Sequence, residues 1–328
     1  MRRFITYRPW HGDINNVRLH FESVAVLAYL LDRYIAIPEH LHRFADAPVA
    51  NFPPIHPSVF LDLSKLPIVS LADVPASASW HEVEPFLPHE KFFFYENGPN
   101  IEAFSCGREA AYLPNTPDVI NLPPMLSPFY TMIFSTVATR KRMTSFVQNY
   151  VRHYEKVELV ARDIARELGA FHAVHVRRND FIKQYPKTDI PIDVIASQLS
   201  YRVPPGSLLL VATDEPDRGF FGPLMDRYHV LFAGDVVRSA APDWTHYQIA
   251  CVEQNLCALA NTFTGTRLST FSAYINRLRG YNRVADTSFR FTDGLLHHTP
   301  SSVWFSWEAF IPDKEPLWGR EFSEGWAV

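Results

Sequence analysis

A chain of 328 residues is longer than one hydrophobic core usually organises, so two domains are expected. Hydrophobic residues make up 47% and charged residues 20%, which is the balance of a globular chain and excludes a disordered one. The formal net charge of −4 argues against general nucleic-acid binding, although 31 Lys and Arg residues leave room for a local positive pocket.

In chain order, "FITY" reads as a strand and "RPWHGDINN" as a turn. "VRLHFESVAVLAYLLDRY" then carries Phe21, Val24, Ala25, Ala28 and Leu31 at helical spacing, and "IAIP" is a short β-type run. This is a β-loop-α-β opening with a polar, glycine-containing loop at the helix start. From Pro38 to Pro128 the sequence is proline-rich and broken, with no repeat, and predicts an irregular stretch. Residues 129–168 read as helical. Val157, Val160, Ala161, Ile164 and Leu168 share one face there, and Gly169 fits a helix stop.

After this helical region the pattern becomes regular. "FHAVHV", "SLLLVATDE", "VLFAG" and "NTFTG" read as strands, and "IPIDVIASQLSY", "WTHYQIACVEQNLCALA" and "STFSAYINRLRGY" as helices. "EPDRGFFGPLMDRYH" is a partly helical link. Alternating strands and helices predict an α/β fold with a parallel, doubly wound sheet. The expected domains are residues 1–155 and 156–290, with an aromatic tail, 291–328, packing across them.

Three cysteines, Cys106, Cys251 and Cys257, are too few and uneven for a disulfide framework. No spacing suits zinc. No signal peptide and no membrane-spanning run is seen, so a cytoplasmic, reducing compartment is expected for the chain as given, and the secretory pathway if it is a piece of a longer one.

In a doubly wound sheet, ligands bind beyond the C-terminal ends of the strands. Four stretches place chemistry there. "FHAVHVRRNDF" ends an apolar strand in His175, Arg177, Arg178 and Asp180; His175 and Arg177 are two apart and so share a face. Arginine offers a planar fork for phosphate oxygens, and Asn179 tolerates a left-handed turn. The plainer reading is a surface ion pair of Arg177 or Arg178 with Asp180. "TGTRLSTFSAY" leads through a glycine-containing turn into Ser269, Thr270, Phe271 and Ser272 at a helix start, where unpaired N–H groups and the dipole suit phosphate; simple N-capping is the alternative. Glu253, among apolar neighbours, can accept two hydrogen bonds from a guanine edge or be an exposed helical acid. "HGDINNVR" offers His11, Asp13, Asn15, Asn16 and Arg18, or a polar cap. No Walker A, GxGxxG or GxSxG motif is present.

Taken together these stretches resemble the GDP-fucose-dependent fucosyltransferases, above all the protein O-fucosyltransferases. The family's G-x-F-x-N-Q block with its following helix and strand is similar to "GDINNVRLHFESVAVLAYLLDRYIAIPE", with Gly12 and Asn16 on matching positions. Its H-x-R-x-G-D block is similar to "HVRRND", with Asn179 in place of glycine. Its acid sixteen residues ahead of S-T/S-F is similar to Glu253 ahead of Ser269, Thr270 and Phe271. Residues 40–150 match nothing in the family.

The resemblance implies a GT-B fold, two Rossmann-like doubly wound domains facing a central cleft. It implies that Arg177 holds the β-phosphate and bridging oxygen, and that His175 contacts the nucleotide sugar. Ser269, Thr270 and Phe271 would sit on phosphates and base, Glu253 would read guanine, and Asn16 would approach the sugar beside Gly12 and Asn15. The implied reaction is inverting transfer of L-fucose from GDP-fucose to a protein or glycan hydroxyl, without a metal or other cofactor. Asp13 is the best-placed acid for a catalytic base. The alternatives are another nucleotide sugar on the same scaffold, and a non-catalytic GDP or glycan binder.

Overall fold

The computed structural model describes residues 2–8, 13–38, 55–83, 92–97, 100–105, 108–113, 116–123, 137–266, 269–282, 284, 288–291 and 296–297. The chain divides into two compact units, Met1–Arg152 and His153–Val328.

The first unit contains β1 (Phe4–Tyr7), α1 (Ile14–Leu30), β2 (Tyr34–Ile37), β3 (Leu61–Asp62), β4 (Ile68–Ser70) and β5 (Trp80–Glu82). β6 (Phe92–Asn97), β7 (Asn100–Ser105), β8 (Arg108–Leu113), β9 (Val119–Leu122) and α2 (Val137–Tyr150) follow. Its main sheet runs β4-β2-β1-β9-β5 and is parallel throughout. β1, buried along its whole length, is the central strand.

The β-loop-α-β opening folds as its pattern predicts. The irregular reading of residues 38–128 is corrected, because β4, β5 and β9 lie in it and complete the sheet, and β6, β7 and β8 form a separate antiparallel sheet. "VINL" shows why the strands were hidden. Its four residues stand between Pro117 and Pro123, so the prolines end the strand without breaking it. Arg33 then ties the unit together, donating from Nη1 to the Phe4 and Asp118 carbonyls and from Nη2 to that of Pro117.

β10 (Arg152–His153) stands at the junction of the units and interrupts the expected continuous helical region. The second unit continues with α3 (Glu155–Leu168), β11 (His172–Val176), α4 (Asn179–Gln184), α5 (Ile192–Leu199), β12 (Leu208–Thr213) and α6 (Gly222–Met225). Then come β13 (His229–Phe232), α7 (Ala233–Ala240), α8 (His246–Leu259), β14 (Phe263–Thr266), α9 (Thr270–Tyr281), β15 (Ser288–Phe291) and β16 (Leu296–His297). The sheet order is β13-β12-β11-β14-β15-β16, parallel except for β16 at the edge.

Strand alternation decides which way the site residues face. Val174 and Val176 of β11, with Leu209 and Val211 of β12, enter a core shared with Ile195 and Leu199 of α5 and Leu224 of α6. His175, between the two valines, therefore faces the opposite side, where α9 lies. α9 and the capped start of α8, where Thr245 and Gln248 form a capping box, match their predicted positions. α4 and α7, both short, were not predicted. Wholly buried Arg279 donates to the carbonyls of Ala258, Ala260 and Asn261, satisfying the C-terminal end of α8 where the helix dipole favours a cation. Cys251 and Cys257 are buried free thiols, while Cys106 and all of the 291–328 tail except residues 291, 296 and 297 lie outside the described residues. Among the described residues, no helix is long and apolar enough to cross a membrane.

Candidate functional site

Because β11, β12, β13 and β14 are parallel, their C-terminal ends share one edge of the second unit's sheet. β11 ends between two threonines. Thr213 Oγ1 donates to the Val176 carbonyl (2.7 Å) and Thr266 Oγ1 to the His175 carbonyl (2.9 Å). Thr266 Oγ1 also accepts the Arg177 N–H (2.9 Å), which fixes the backbone where the chain leaves the strand.

Arg177 is half-buried. Its Nη1 pairs with Asp214 Oδ2, just beyond β12, and its Nη2 with Asp180 Oδ1 at 2.7 Å. The surface ion pair considered from sequence is thus present, joined by a second carboxylate that the sequence reading did not single out. Arg178 turns elsewhere, to Glu215 (3.1 Å) and Asp189 (2.8 Å), and its guanidinium lies 4.2 Å from the Phe220 ring centroid. Asn179 has φ +44°, in the left-handed region that asparagine tolerates better than most residues.

His175 is buried. Its Nδ1 lies 2.7 Å from Ser272 Oγ on α9, and its ring 4.6 Å from that of Phe271. Burial, with the Arg177 charge adding to it, lowers its pKa to about 3, so the ring is neutral at physiological pH. It can accept or donate a hydrogen bond but carries no charge to a phosphate.

The glycine before α9 is not in a turn, as the sequence suggested, but inside β14. A β-carbon at Gly265 would stand 2.7 Å from Ser272 Cβ and Oγ, so this glycine lets α9 dock closely on its strand. Ser269 holds the N-cap position, yet its side chain makes no capping hydrogen bond. The first-turn N–H groups of Thr270, Phe271 and Ser272 lie outside the helix's own ladder. The simple-capping alternative for Ser269 is therefore not what this helix start uses.

Glu253 on α8 is half-buried, not an exposed helical acid. Its Oε1 would stand 3.0 Å from a β-carbon at Gly234, which opens α7, so a side chain at 234 would crowd it. No hydrogen bond or ion pair partners the carboxylate among the described residues. Burial pushes its pKa up to about 7, with Asp235 raising it further and Arg238 and Arg218 opposing the shift. Asp235 itself pairs with both arginines, at 3.1 Å to Arg218 and 3.3 Å to Arg238. Next along α8, Gln254 Nε2 donates to the Phe271 carbonyl at 3.3 Å, so this helix reaches the start of α9.

In the first unit, Asp13 is the N-cap of α1. Its Oδ1 accepts the Ile14 N–H at 2.7 Å and the carboxylate is exposed, which is the polar-cap role considered from sequence. Asn15 is buried in the first turn of α1 and Asn16 half-buried beside it. Gly12 and His11 lie outside the described residues. Among the described residues, no group of three or more His, Cys, Asp or Glu is placed to hold a metal ion.

Direct contacts therefore link Asp214, Arg177, Thr266, His175, Ser272, Phe271 and Gln254, while Glu253 meets the α7 start. Sequence reasoning missed Asp214, Thr266 and Gly234. The signal for Asp214 was available, since "LLLVATDE" ends an apolar strand in acids just as "FHAVHVRRND" ends one in arginines.

No protein-family model and no curated protein matches the sequence. Among solved structures, a variant of Arabidopsis thaliana FUT1 in complex with GDP is similar with a TM-score of 0.51 and 12% identity, over 88% of this chain and 70% of that one. POFUT1 in complex with GDP-fucose has a TM-score of 0.49 and 15% identity, over 88% and 98% of the two chains. NodZ alpha-1,6-fucosyltransferase soaked with GDP-fucose has 0.48 and 12%, over 90% and 98%. At such identities the likeness is one of fold, and the first of these structures supports it. The chain is an α/β protein whose parallel sheets resemble those of the GT-B fucosyltransferases.

Proposed function

We propose that this chain is a glycosyltransferase using a GDP-sugar, and that it transfers L-fucose from GDP-fucose to a protein or glycan hydroxyl with inversion. The observation that carries the reading is the half-buried Glu253 carboxylate, which has no hydrogen-bond or ion-pair partner among the described residues, on the same helix as the Gln254–Phe271 contact to α9. An acceptor-only carboxylate suits a ligand edge that brings two donors, as guanine does with N1–H and its 2-amino group. The complex of FUT1 with GDP lends the same nucleotide to the reading through a shared fold.

In this reading residues 156–290 bind the GDP-sugar and residues 1–155 serve the acceptor. Arg177 takes the β-phosphate and bridging oxygen, the uncapped start of α9 at Ser269, Thr270 and Phe271 takes further phosphate oxygens, and neutral His175 hydrogen-bonds the nucleotide sugar. Breaking the sugar–phosphate bond leaves an oxocarbenium-like centre and adds negative charge to the diphosphate. A fixed cation and a helix start stabilise that charge without reorganising, and loss of one such donor costs on the order of 10²–10³ in rate. Asn16 approaches the sugar, and Asp13 accepts the acceptor proton.

A thermal-shift series with GDP, UDP and ADP, followed by GDP-fucose turnover, tests the reading. GDP is expected to stabilise the protein and UDP and ADP to leave it unmoved, with Arg177→Ala abolishing both the shift and turnover. A shift with UDP alone points to another nucleotide sugar, and GDP binding without turnover to a non-catalytic binder. Asp13→Asn keeps an equally good helix cap, so a loss of roughly 10²–10⁴ in transfer at unchanged stability marks Asp13 as the base.

A further inference from the structure

Arg177 has two carboxylate partners, and they are not equivalent. Asp180 is one helical turn away, and its side chain is 63% exposed. Asp214 comes from the neighbouring strand, and its side chain is 19% exposed. An exposed pair of the first kind restrains an arginine weakly, because water and salt compete for both partners. A partly buried carboxylate with a fixed backbone restrains it far more.

Asp214 does more than meet the guanidinium. Its Oδ2 accepts from Arg177 Nη1, while its Oδ1 accepts the Arg178 backbone N–H at 2.7 Å. Its own carbonyl accepts from Asn179 Nδ2. One residue thus grips three consecutive residues of the turn after β11. That turn contains the left-handed Asn179, a conformation that needs such over-determination in a residue other than glycine. The preceding Thr213 holds the Val176 carbonyl, so the anchor is itself anchored. Arg178 is bound separately by Glu215 and Asp189 and does not compete for Asp214's side chain through its own guanidinium.

We propose that Asp214 is a positioning residue that fixes the Arg177 guanidinium for a nucleotide diphosphate. The proposal rests on the reading of Arg177 as the diphosphate ligand. Asp214 holds Nη1 and the turn beneath it, and it leaves the Nη2 edge, whose protein partner is the exposed Asp180, to exchange with phosphate oxygens. Holding the side chain beforehand removes rotamer freedom that an unrestrained arginine would lose on binding, which is how preorganisation raises affinity.

The test compares GDP with guanosine, which lacks the phosphates, by protein-observed NMR titration, a method that reads weak and tight binding alike. Asp214→Asn is expected to weaken GDP binding by about ten- to hundredfold, the range for losing a charge-assisted hydrogen bond, and to leave guanosine binding unchanged. Glu215→Gln, which removes a partner of Arg178 only, is expected to alter neither. Combining Asp214→Asn with Arg177→Ala should add no loss for GDP beyond Arg177→Ala alone. Should Asp214→Asn fail to fold, Asp214→Glu keeps the charge and displaces it, and the same selective loss is expected. An unchanged or tighter GDP affinity in the Asp214 variants, or an equal loss for GDP and guanosine, overturns the proposal. If Arg177→Ala itself binds GDP like the unaltered protein, the phosphate reading has failed. A selective loss in Arg177→Ala but not in the Asp214 variants sinks the positioning role alone.

Discussion

Glu253 makes nucleotide binding pH-dependent if its carboxylate meets the guanine edge. With a pKa of about 7 in the free protein, it is protonated in part at neutral pH, and the donors of guanine require the ionised form. Binding must then release a proton. Guanosine isolates this effect, because it lacks the terminal phosphate of GDP, which itself titrates at about pH 6: the affinity for guanosine is expected to be flat from pH 7 to 8 and to fall by up to about tenfold per unit below pH 7. His175, neutral down to about pH 3, does not titrate in this window. Glu253→Gln should abolish the slope and weaken guanine selectivity, and a slope surviving in that variant would exclude Glu253 as its source. The stability effect has the opposite sense. A carboxyl whose folded-state pKa lies above its usual 4.5 contributes stability that is complete below that value and lost as pH rises through about 7. Glu253→Gln should therefore raise the melting temperature at pH 8 and leave it nearly unchanged at pH 4. From the sequence, the acid and its apolar neighbours were visible, but its burial was not. Its carboxylate lies beside Gly234 of α7, nineteen positions earlier, and no helical period connects the two.

At the scale of elements, the turn from β11 into α4 and the docking of α9 on β14 each depend on a single small or tolerant residue. Asn179 combines φ +44° with a side-chain hydrogen bond to the Asp214 carbonyl. Asn179→Gly trades that bond for an unstrained backbone and should cost little. Asn179→Ala keeps the strain without the bond and should destabilise by roughly 1–2 kcal/mol, with Asn179→Val worse still. Chemical denaturation of the three variants checks the order, and an alanine variant as stable as the glycine one would count against backbone strain here. The regular half of the chain was legible because β11 and β12 are continuous apolar runs, α3 buries one face through Val157, Ala161 and Ile164, and Thr245 with Gln248 caps α8. Strands such as β4, β5 and β9 were not legible. Each is only three or four residues long and lies among prolines, so their pairing is set by distant partners such as Phe4 and Ile35 and not by any local period. For the same reason the candidate site was legible as a list of polar strand ends, while the contacts that join Arg177 to Asp214 and His175 to Ser272 span 37 and 97 residues.

Across the whole molecule, two compact units with separate parallel sheets invite two separate responses to heat. Scanning calorimetry is expected to resolve two transitions, with GDP raising the one that belongs to His153–Val328 by more than the other. A single transition raised as a whole would show instead that the units unfold together. The close seat of α9 on β14 also bears on how such a chain diverges. Gly265 and Ser272 occupy one small space, and Ser272 in turn holds His175. In related sequences the two positions should drift as a pair, a larger residue at one appearing only with a smaller one at the other. A lineage can then keep this strand edge while its individual motifs change, which is how a fold outlasts the sequence signature by which its relatives are found.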